Sequence, residues 1–295
     1  MGKPQIYAIV GPTASGKTAT AIELARKKKT EIVSFDSRQL YRELSVGVAR
    51  PSEEELAMCK HYGIADSSIH QPLSAGEFAR VYRPLVKEII ELTGSVVLVG
   101  GTGLYLKHLL YTLDDLPIVE DSLRESINLI YQSDGLLGLQ QRLEALDPKA
   151  HLLVDWQNPA RLKRAIELCS GSGKSLHEIY SGQNNPYFCE TGITIWGLDW
   201  NRNELYNRID QRVDAMMLGG LLNEVQTLVS FSDLPVLKTV GYSELFQFLT
   251  GEITLPQAVE KIKQHTRNYA KRQITYFRHQ FPTQWVTPAE ILDLV

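Results

Sequence analysis

Gly11–Thr18 reads GPTASGKT, and the residues on either side of it decide the fold. Gln5 to Val10 before it is an apolar run that ends on a glycine. Thr18 to Lys27 after it places Ala21, Ile22, Leu24 and Ala25 at helical spacing. Strand, loop and helix in that order are the setting in which G-x-x-x-x-G-K-[ST] is a phosphate loop. Its glycines let backbone N–H groups turn inward, the helix N-terminus adds positive potential, Lys17 supplies a point charge, and the Thr18 hydroxyl can ligate Mg²⁺. Gly11, Thr13, Ala14, Ser15, Gly16, Lys17 and Thr18 are therefore expected to hold phosphate. Two adjacent phosphates satisfy such a cradle, so any diphosphate ester is an eligible ligand. The bland alternative is a strand-to-helix turn that binds nothing. Gly173–Lys174–Ser175 repeats the G-K-[ST] ending, but Leu168 stands where the leading glycine belongs, and that segment reads as a helix end and loop.

Further short apolar runs at Glu31–Phe35, Ser95–Val99 and Gly192–Leu198 alternate with helical patterns. Such alternation predicts an α/β fold of the phosphate-loop NTPase kind, similar to nucleotide kinases: a mostly parallel sheet flanked by helices. Between Asp114 and Asn185 the strand signals vanish, and breaks fall at Asp147–Pro148, Asn158–Pro159, Ser170–Gly173 and Asn184–Pro186. The expected organisation is a core of residues 1–113 and 191–295 with a helical insertion at 114–190. After Trp200 the chain reads as entirely helical.

With 295 residues, 43% hydrophobic and 22% charged, the chain has enough apolar material for a sizeable core. A formal net charge of −3 excludes a globally basic nucleic-acid binder, so such a partner must be held by local patches. Three widely spaced cysteines, Cys59, Cys169 and Cys189, form neither a disulfide framework nor a zinc site. No apolar stretch approaches the ~20 residues of a membrane span, and no signal-peptide core is evident. A cytoplasmic monomer without membrane association is expected. The seven histidines show no metal-binding spacing, and the four tryptophans read as packing aromatics.

A second glycine cluster, Gly100–Gly101–Thr102–Gly103–Leu104–Tyr105, follows the Ser95–Val99 strand. It fails as a dinucleotide fingerprint because Leu106 takes the third glycine position. It also lacks the strand-end acid that a phosphoryl-transferring enzyme uses to hold its metal, which weakens ATPase and kinase readings. A carboxylate appears instead after Glu31–Phe35, in Asp36–Ser37–Arg38–Gln39–Leu40–Tyr41. Ligands of open parallel sheets bind beyond the carboxyl ends of the strands, so Asp36, Thr102 and the phosphate loop are expected to share one crevice. A helix N-cap or a metal-side ligand is the plainer role for Asp36.

At these residues the chain resembles the tRNA dimethylallyltransferases, also called tRNA isopentenyltransferases, in a form similar to bacterial members. The resemblance is carried by GPTASGKT at Gly11, DSRQLY at Asp36, VGGTGLYL at Val99, NPARLKRAIE at Asn158, RIDQRVDAMM at Arg208, GLLNEV at Gly220, KTVGYSE at Lys238 and TRNYAKRQITYFR at Thr266. It implies transfer of a dimethylallyl group from its diphosphate to the exocyclic amine of the adenosine 3′ to a tRNA anticodon, releasing pyrophosphate. The implied partners are the tRNA anticodon stem-loop and dimethylallyl diphosphate, and the cofactor is Mg²⁺, with Thr18 as its protein ligand. Lys17, Asp36 and Thr102 are the implied catalytic residues, Asp36 accepting the amine proton. Arg208 and Arg212 are implied at the diphosphate, with Arg208 the preferred of the two. A surface salt-bridge ladder is the plain reading of that helix.

The residues expected to contact tRNA are Asp36, Ser37, Arg38, Gln39 and Thr102 at the crevice. Arg124, Ala160, Arg161, Leu162, Lys163 and Arg164 follow in the insertion, with Lys238, Gly241 and Tyr242 beyond it. Lys263, Arg267, Lys271 and Arg278 draw a basic stripe along the last long helix, with no acid between Lys261 and Arg278, and are read as a phosphate-contacting face rather than a merely solvated one. Lys238 stands where many members of the family have Arg, and Ser243–Glu244 where some have Arg-Gln. Rival readings are a free adenine-nucleotide isopentenyltransferase, which needs no basic helix, a phosphate-loop small-molecule kinase, and a non-catalytic RNA-binding module.

Overall fold

The computed structural model describes residues 3–112, 116–117, 119–180 and 185–294. The expected domain boundary at 113 and 114 and the break at Asn184 lie outside them. Two compact units result, Met1–Leu110 with Phe188–Val295, and Tyr111–Tyr187.

In the larger unit the strands are β1 (Gln5–Val10), β2 (Ile32–Ser34), β3 (His61–Tyr62) and β4 (Ser95–Val99). The smaller unit holds β5 (Tyr111–Thr112) and β6 (Asn185–Pro186), and the larger continues with β7 (Gly192–Leu198) and β8 (Gln284–Val286). Helices α1 (Lys17–Lys28), α2 (Glu53–Met58), α3 (Ala75–Thr93) and α4 (Gly103–Leu110) precede the smaller unit. Within it lie α5 (Asp121–Leu146), α6 (Pro159–Ser172) and α7 (Leu176–Ile179). After it come α8 (Arg202–Leu218), α9 (Leu221–Thr227), α10 (Tyr242–Leu249), α11 (Leu255–Gln280) and α12 (Pro288–Asp293).

Among the described residues six strands form one parallel sheet in the order β3-β2-β4-β1-β7-β8. All five residues of β4 are buried, as a parallel strand covered on both faces requires. Register aligns the strand ends: Val99 pairs with both Ile9 and Ser34, and Ile9 with Trp196. The segments leaving β1, β2, β4 and β7 therefore start from one rim. The sheet core packs Ile9, Ile22, Leu24, Ile32, Val97, Trp196 and Leu198 together. A second cluster joins the helices, with Leu44, Val213, Leu221, Val225, Leu237, Tyr242, Leu245 and Ile262 at its centre.

The helical reading after Trp200 requires one correction, because β8 pairs in parallel with β7. Its three residues follow Pro282 and are too few to show a period. In the smaller unit, Ile127, Leu139, Leu143, Leu162, Ile166 and Leu176 build a separate core. The α6 N-terminus is capped by the Asn158 side chain, which accepts from the N–H of Ala160 and of Arg161. Gly173 ends α6 at φ 67°, and Ser175 with Glu178 forms a capping box on α7. The second G-K-S is thus a helix end and a helix start.

Candidate active site

The phosphate loop leaves β1 through Gly11, whose φ is 148° and where a Cβ would stand 3.2 Å from Ser15 Oγ and 3.3 Å from the Leu198 nitrogen. Ala14 (φ 63°) and Gly16 (φ 90°) complete the turn into α1. Neighbouring elements pin this backbone. Trp200 Nε1 donates to the Ser15 carbonyl at 3.0 Å, and Arg208 Nε donates to the Ala14 carbonyl at 2.8 Å. The Arg208 guanidinium also lies over the Trp200 ring at 4.3 Å, a cation–π contact. Thr13 N–H donates to Gln273 Oε1 at 2.9 Å, and Lys17 Nζ donates to the Pro12 carbonyl at 2.7 Å. The N–H groups of Lys17 and Thr18 open α1, where no intrahelical acceptor exists, so with the Lys17 ammonium they are donors able to hold an anion.

A cavity of about 340 Å³ opens on this loop, a volume suited to a small organic ligand. Thr13 to Thr18, Asp36, Ser37, Arg38, Gln39 and Arg212 supply its polar wall. Val48, Val213, Met216, Leu221 and Ile262 supply its apolar wall. Burial pulls the Lys17 ammonium down to about 8; the Asp36 carboxylate opposes this and Arg212 adds to it. Burial likewise lowers the Arg212 guanidinium, again against Asp36. Arg212 Nε is buried with no hydrogen-bond partner among the described residues. Asp36 Oδ1 accepts from the Arg38 N–H at 3.0 Å. Thr102 is not part of the cavity wall. It backs Ser37, its Oγ1 accepting the Ser37 N–H at 3.1 Å and donating to Ser37 Oγ at 3.1 Å. Tyr269 stands in the cavity, its phenol pushed up to about 12 by burial and by Asp36, with Arg38 and a hydrogen bond with Thr102 opposing.

The structure reorders several expectations. Of the two arginines expected at the diphosphate, Arg212 lines the cavity, while Arg208 is bonded to a loop carbonyl and stacked on Trp200, its Nη2 3.9 Å from where a Gly16 Cβ would stand. Leu162 is fully buried in the smaller unit's core and can touch no RNA. Tyr242 lines the cavity but is itself fully buried, its hydroxyl donating to Glu224 Oε1 at 2.6 Å. Its ring is packed in the interior rather than presented as the expected tRNA contact.

The basic stripe of α11 is corrected too. Lys263 meets Asp214 at 2.8 Å and Glu260 at 3.7 Å, and Arg267 meets Asp210 at 2.5 Å. Asp210 and Asp214 both belong to α8, so these cations form an ionic seam between helices. Arg278 lies 3.9 Å from Asp199 and over the Trp285 ring. Lys271 is exposed near the Tyr206 ring. Lys238 is exposed, while the N–H of Gly241 is held by Glu244 at 2.7 Å. In the smaller unit Arg124 pairs with Asp121 at 2.9 Å and Arg164 with Glu167 at 2.8 Å. Lys163 donates to Asn128 at 2.8 Å, and Ala160 and Arg161 are exposed. Sequence reasoning missed Thr266, Tyr269 and Gln273 as cavity residues. Their i, i+3, i+7 spacing marks one helix face, but none carries the charge that drew attention to the stripe.

A family model described as IPP transferase matches residues 39–280. The chain belongs to the IPP transferase family. It is 42% identical to the tRNA dimethylallyltransferase of Flavobacterium johnsoniae over 287 residues, covering 95% of this chain and 92% of that protein. It is 39% identical to the tRNA dimethylallyltransferase of Salinibacter ruber, covering 95% and 87%. Among solved structures it resembles the full-length tRNA isopentenylpyrophosphate transferase of Bacillus halodurans, with a TM-score of 0.70, 32% identity and coverage of 99% and 94%. A eukaryotic dimethylallyltransferase acting on tRNA shares the fold, with a TM-score of 0.77 at 22% identity over 98% of this chain and 76% of that one. The phosphate-loop α/β fold of the larger unit is thus that of other IPP transferase family members. No described helix is long and apolar enough to cross a membrane.

Proposed function

We propose that this protein transfers a dimethylallyl group from dimethylallyl diphosphate to the N6 amine of the adenosine at position 37 of certain tRNAs, next to the anticodon on its 3′ side. The observation that carries this reading is one cavity holding an anion cradle, a carboxylate and an apolar wall together. The cradle suits the diphosphate, and the apolar wall of Val213, Met216, Leu221 and Ile262 suits the five-carbon chain.

In the reaction the allylic C–O bond breaks, its electron pair leaves with pyrophosphate, and the adenine nitrogen forms the new C–N bond. The Lys17 ammonium, the Arg212 guanidinium and the N–H groups opening α1 stabilise the charge on the departing diphosphate. Asp36 holds and orients the exocyclic amine, whose lone pair is weakened by delocalisation into the ring, and accepts the proton released as the bond forms. Thr102 holds Ser37 against this centre.

The donor set fits Mg²⁺: the Thr18 hydroxyl is a hard oxygen at the diphosphate cradle, in the same cavity as the Asp36 carboxylate. Among the described residues no cluster of three or more His, Cys, Asp or Glu could hold a metal alone, which accords with an ion shared with substrate phosphates. When bound, the ion neutralises part of the leaving group's charge.

The target base must be swung out of the anticodon loop, at a cost of a few kcal/mol, so flanking nucleotides need holding. Arg161 and Lys163 in the smaller unit, and Lys238 and Lys271 in the larger one, are exposed or part-exposed cations suited to tRNA phosphates. The protein works as a monomer in the cytoplasm. Incubation with labelled ATP, labelled dimethylallyl diphosphate, free AMP and tRNA separates the rivals. The proposal requires consumption of dimethylallyl diphosphate only in the presence of tRNA; turnover of AMP, or of ATP with a small molecule, would replace it.

A further inference from the structure

The phosphate loop and the Gly100–Thr102 turn leave different strands, and one side chain from α11 joins them. Gln273 Oε1 accepts the Thr13 N–H at 2.9 Å, and Gln273 Nε2 donates to the Gly101 carbonyl at 3.0 Å. Gln273 is 5% exposed, and its contact with Gly101 is so close that a Cβ there would collide with the amide nitrogen. A single amide thus satisfies one part-buried backbone donor and one buried backbone acceptor, which no apolar side chain can do.

The bridge also fixes where phosphate can sit. Pro12 has no N–H, and the Thr13 N–H is already directed at Gln273, so the backbone donors open to an anion begin beyond Thr13. On the other side the bridge sets the turn that carries Thr102, whose hydroxyl holds Ser37 beside Asp36. Thr266 and Tyr269 line the cavity from the same face of α11. Tyr276 continues that face, packing where a Gly103 Cβ would stand. We propose that Gln273 is a positioning residue: it locks the diphosphate cradle to the Gly100–Thr102 turn, in a geometry that depends on α11 being docked. Its use in catalysis rests on the prenyl-transfer reading, but the latch itself does not.

Two variants test it. Gln273→Met removes both bonds at similar volume, and Gln273→Glu keeps the acceptor for Thr13 while setting an oxygen against the Gly101 carbonyl. Inorganic pyrophosphate is titrated into each purified protein with Mg²⁺, and amide hydrogen exchange is followed in peptides spanning residues 11–18. Loss of an aligned loop is expected to weaken pyrophosphate about tenfold in Gln273→Met. It should speed exchange in that peptide while β4 and the rest of α11 exchange as in wild type. Gln273→Glu should keep Thr13 protected and still lose pyrophosphate affinity. In turnover assays, kcat should fall about 10- to 100-fold, with a smaller rise in KM for the diphosphate substrate. Should Gln273→Met fail to fold, Gln273→Glu alone decides, since it preserves shape and one bond. Pyrophosphate affinity within twofold of wild type with unchanged loop exchange overturns the proposal, as does faster exchange spread evenly over the sheet and α11. Neither readout needs turnover, so failure of prenyl transfer in the wild type would remove the functional reading and leave the latch to be judged separately.

Discussion

The two arginines of α8 can be separated by one pair of substitutions, Arg212→Met and Arg208→Met. Arg212 lines the cavity, shares it with Lys17 and Asp36, and has a buried Nε without a partner among the described residues. A charge-assisted hydrogen bond is worth about 1.5–3 kcal/mol. At 1.36 kcal/mol per factor of ten, its loss should weaken inorganic pyrophosphate about 10- to 150-fold. The same substitution relieves a buried charge, so thermal stability should hold or rise. Arg208 is occupied with the Ala14 carbonyl and the Trp200 ring. Its removal should lower stability by about 1–2 kcal/mol and affect pyrophosphate only a few-fold, through a looser loop. Calorimetric titration with pyrophosphate and Mg²⁺, beside thermal unfolding of each variant, measures both quantities. A larger affinity loss in Arg208→Met than in Arg212→Met would refute the assignment and return Arg208 to the diphosphate.

Three further outcomes are expected. On the proposed role of Lys17, pyrophosphate requires its protonated form, so affinity should fall as pH rises through about 8, the value of the ligand-free protein. Lys17→Arg, charged throughout, should lack this inflection, which titrations between about pH 6 and 10 would show. Asp36→Asn should lower kcat about 10²- to 10⁴-fold, with pyrophosphate affinity within a few-fold of wild type, in a steady-state and calorimetric comparison. Reversing Arg267 to Glu should cost stability of about 1 kcal/mol, because the pair with Asp210 is only partly shielded, at 26% and 37% side-chain exposure. Adding Asp210→Arg should restore both the melting temperature and tRNA modification. Restored stability without restored modification would instead make Arg267 a phosphate contact.

Much of the fold was legible because the relevant signals are local. The apolar runs of β1, β4 and β7 carry their own boundaries, and the loop motif is defined by spacing and by its flanks. Asp36 could be placed because it follows a strand whose end aligns with the others. What escaped depends on distant packing. The stripe on α11 looks solvent-facing in one dimension, but Asp210 and Asp214 of α8 face two of its cations across a helix–helix contact. Gln273 carries no charge and fits no motif; its meaning lies in a bond to Thr13, 260 positions earlier. Likewise the preference between Arg208 and Arg212 could not be decided by spacing, since both sit on one helix face and only the position of Trp200 separates their tasks.

The central claim, prenyl transfer to a tRNA adenosine, is met most directly by mass spectrometry of nucleosides from tRNA incubated with dimethylallyl diphosphate and Mg²⁺. Wild-type protein should convert adenosine next to the anticodon to its N6-dimethylallyl form, and Asp36→Ala should leave that nucleoside unmodified. An adenosine that gains no dimethylallyl group with the wild-type protein, or gains it equally with Asp36→Ala, would contradict the account.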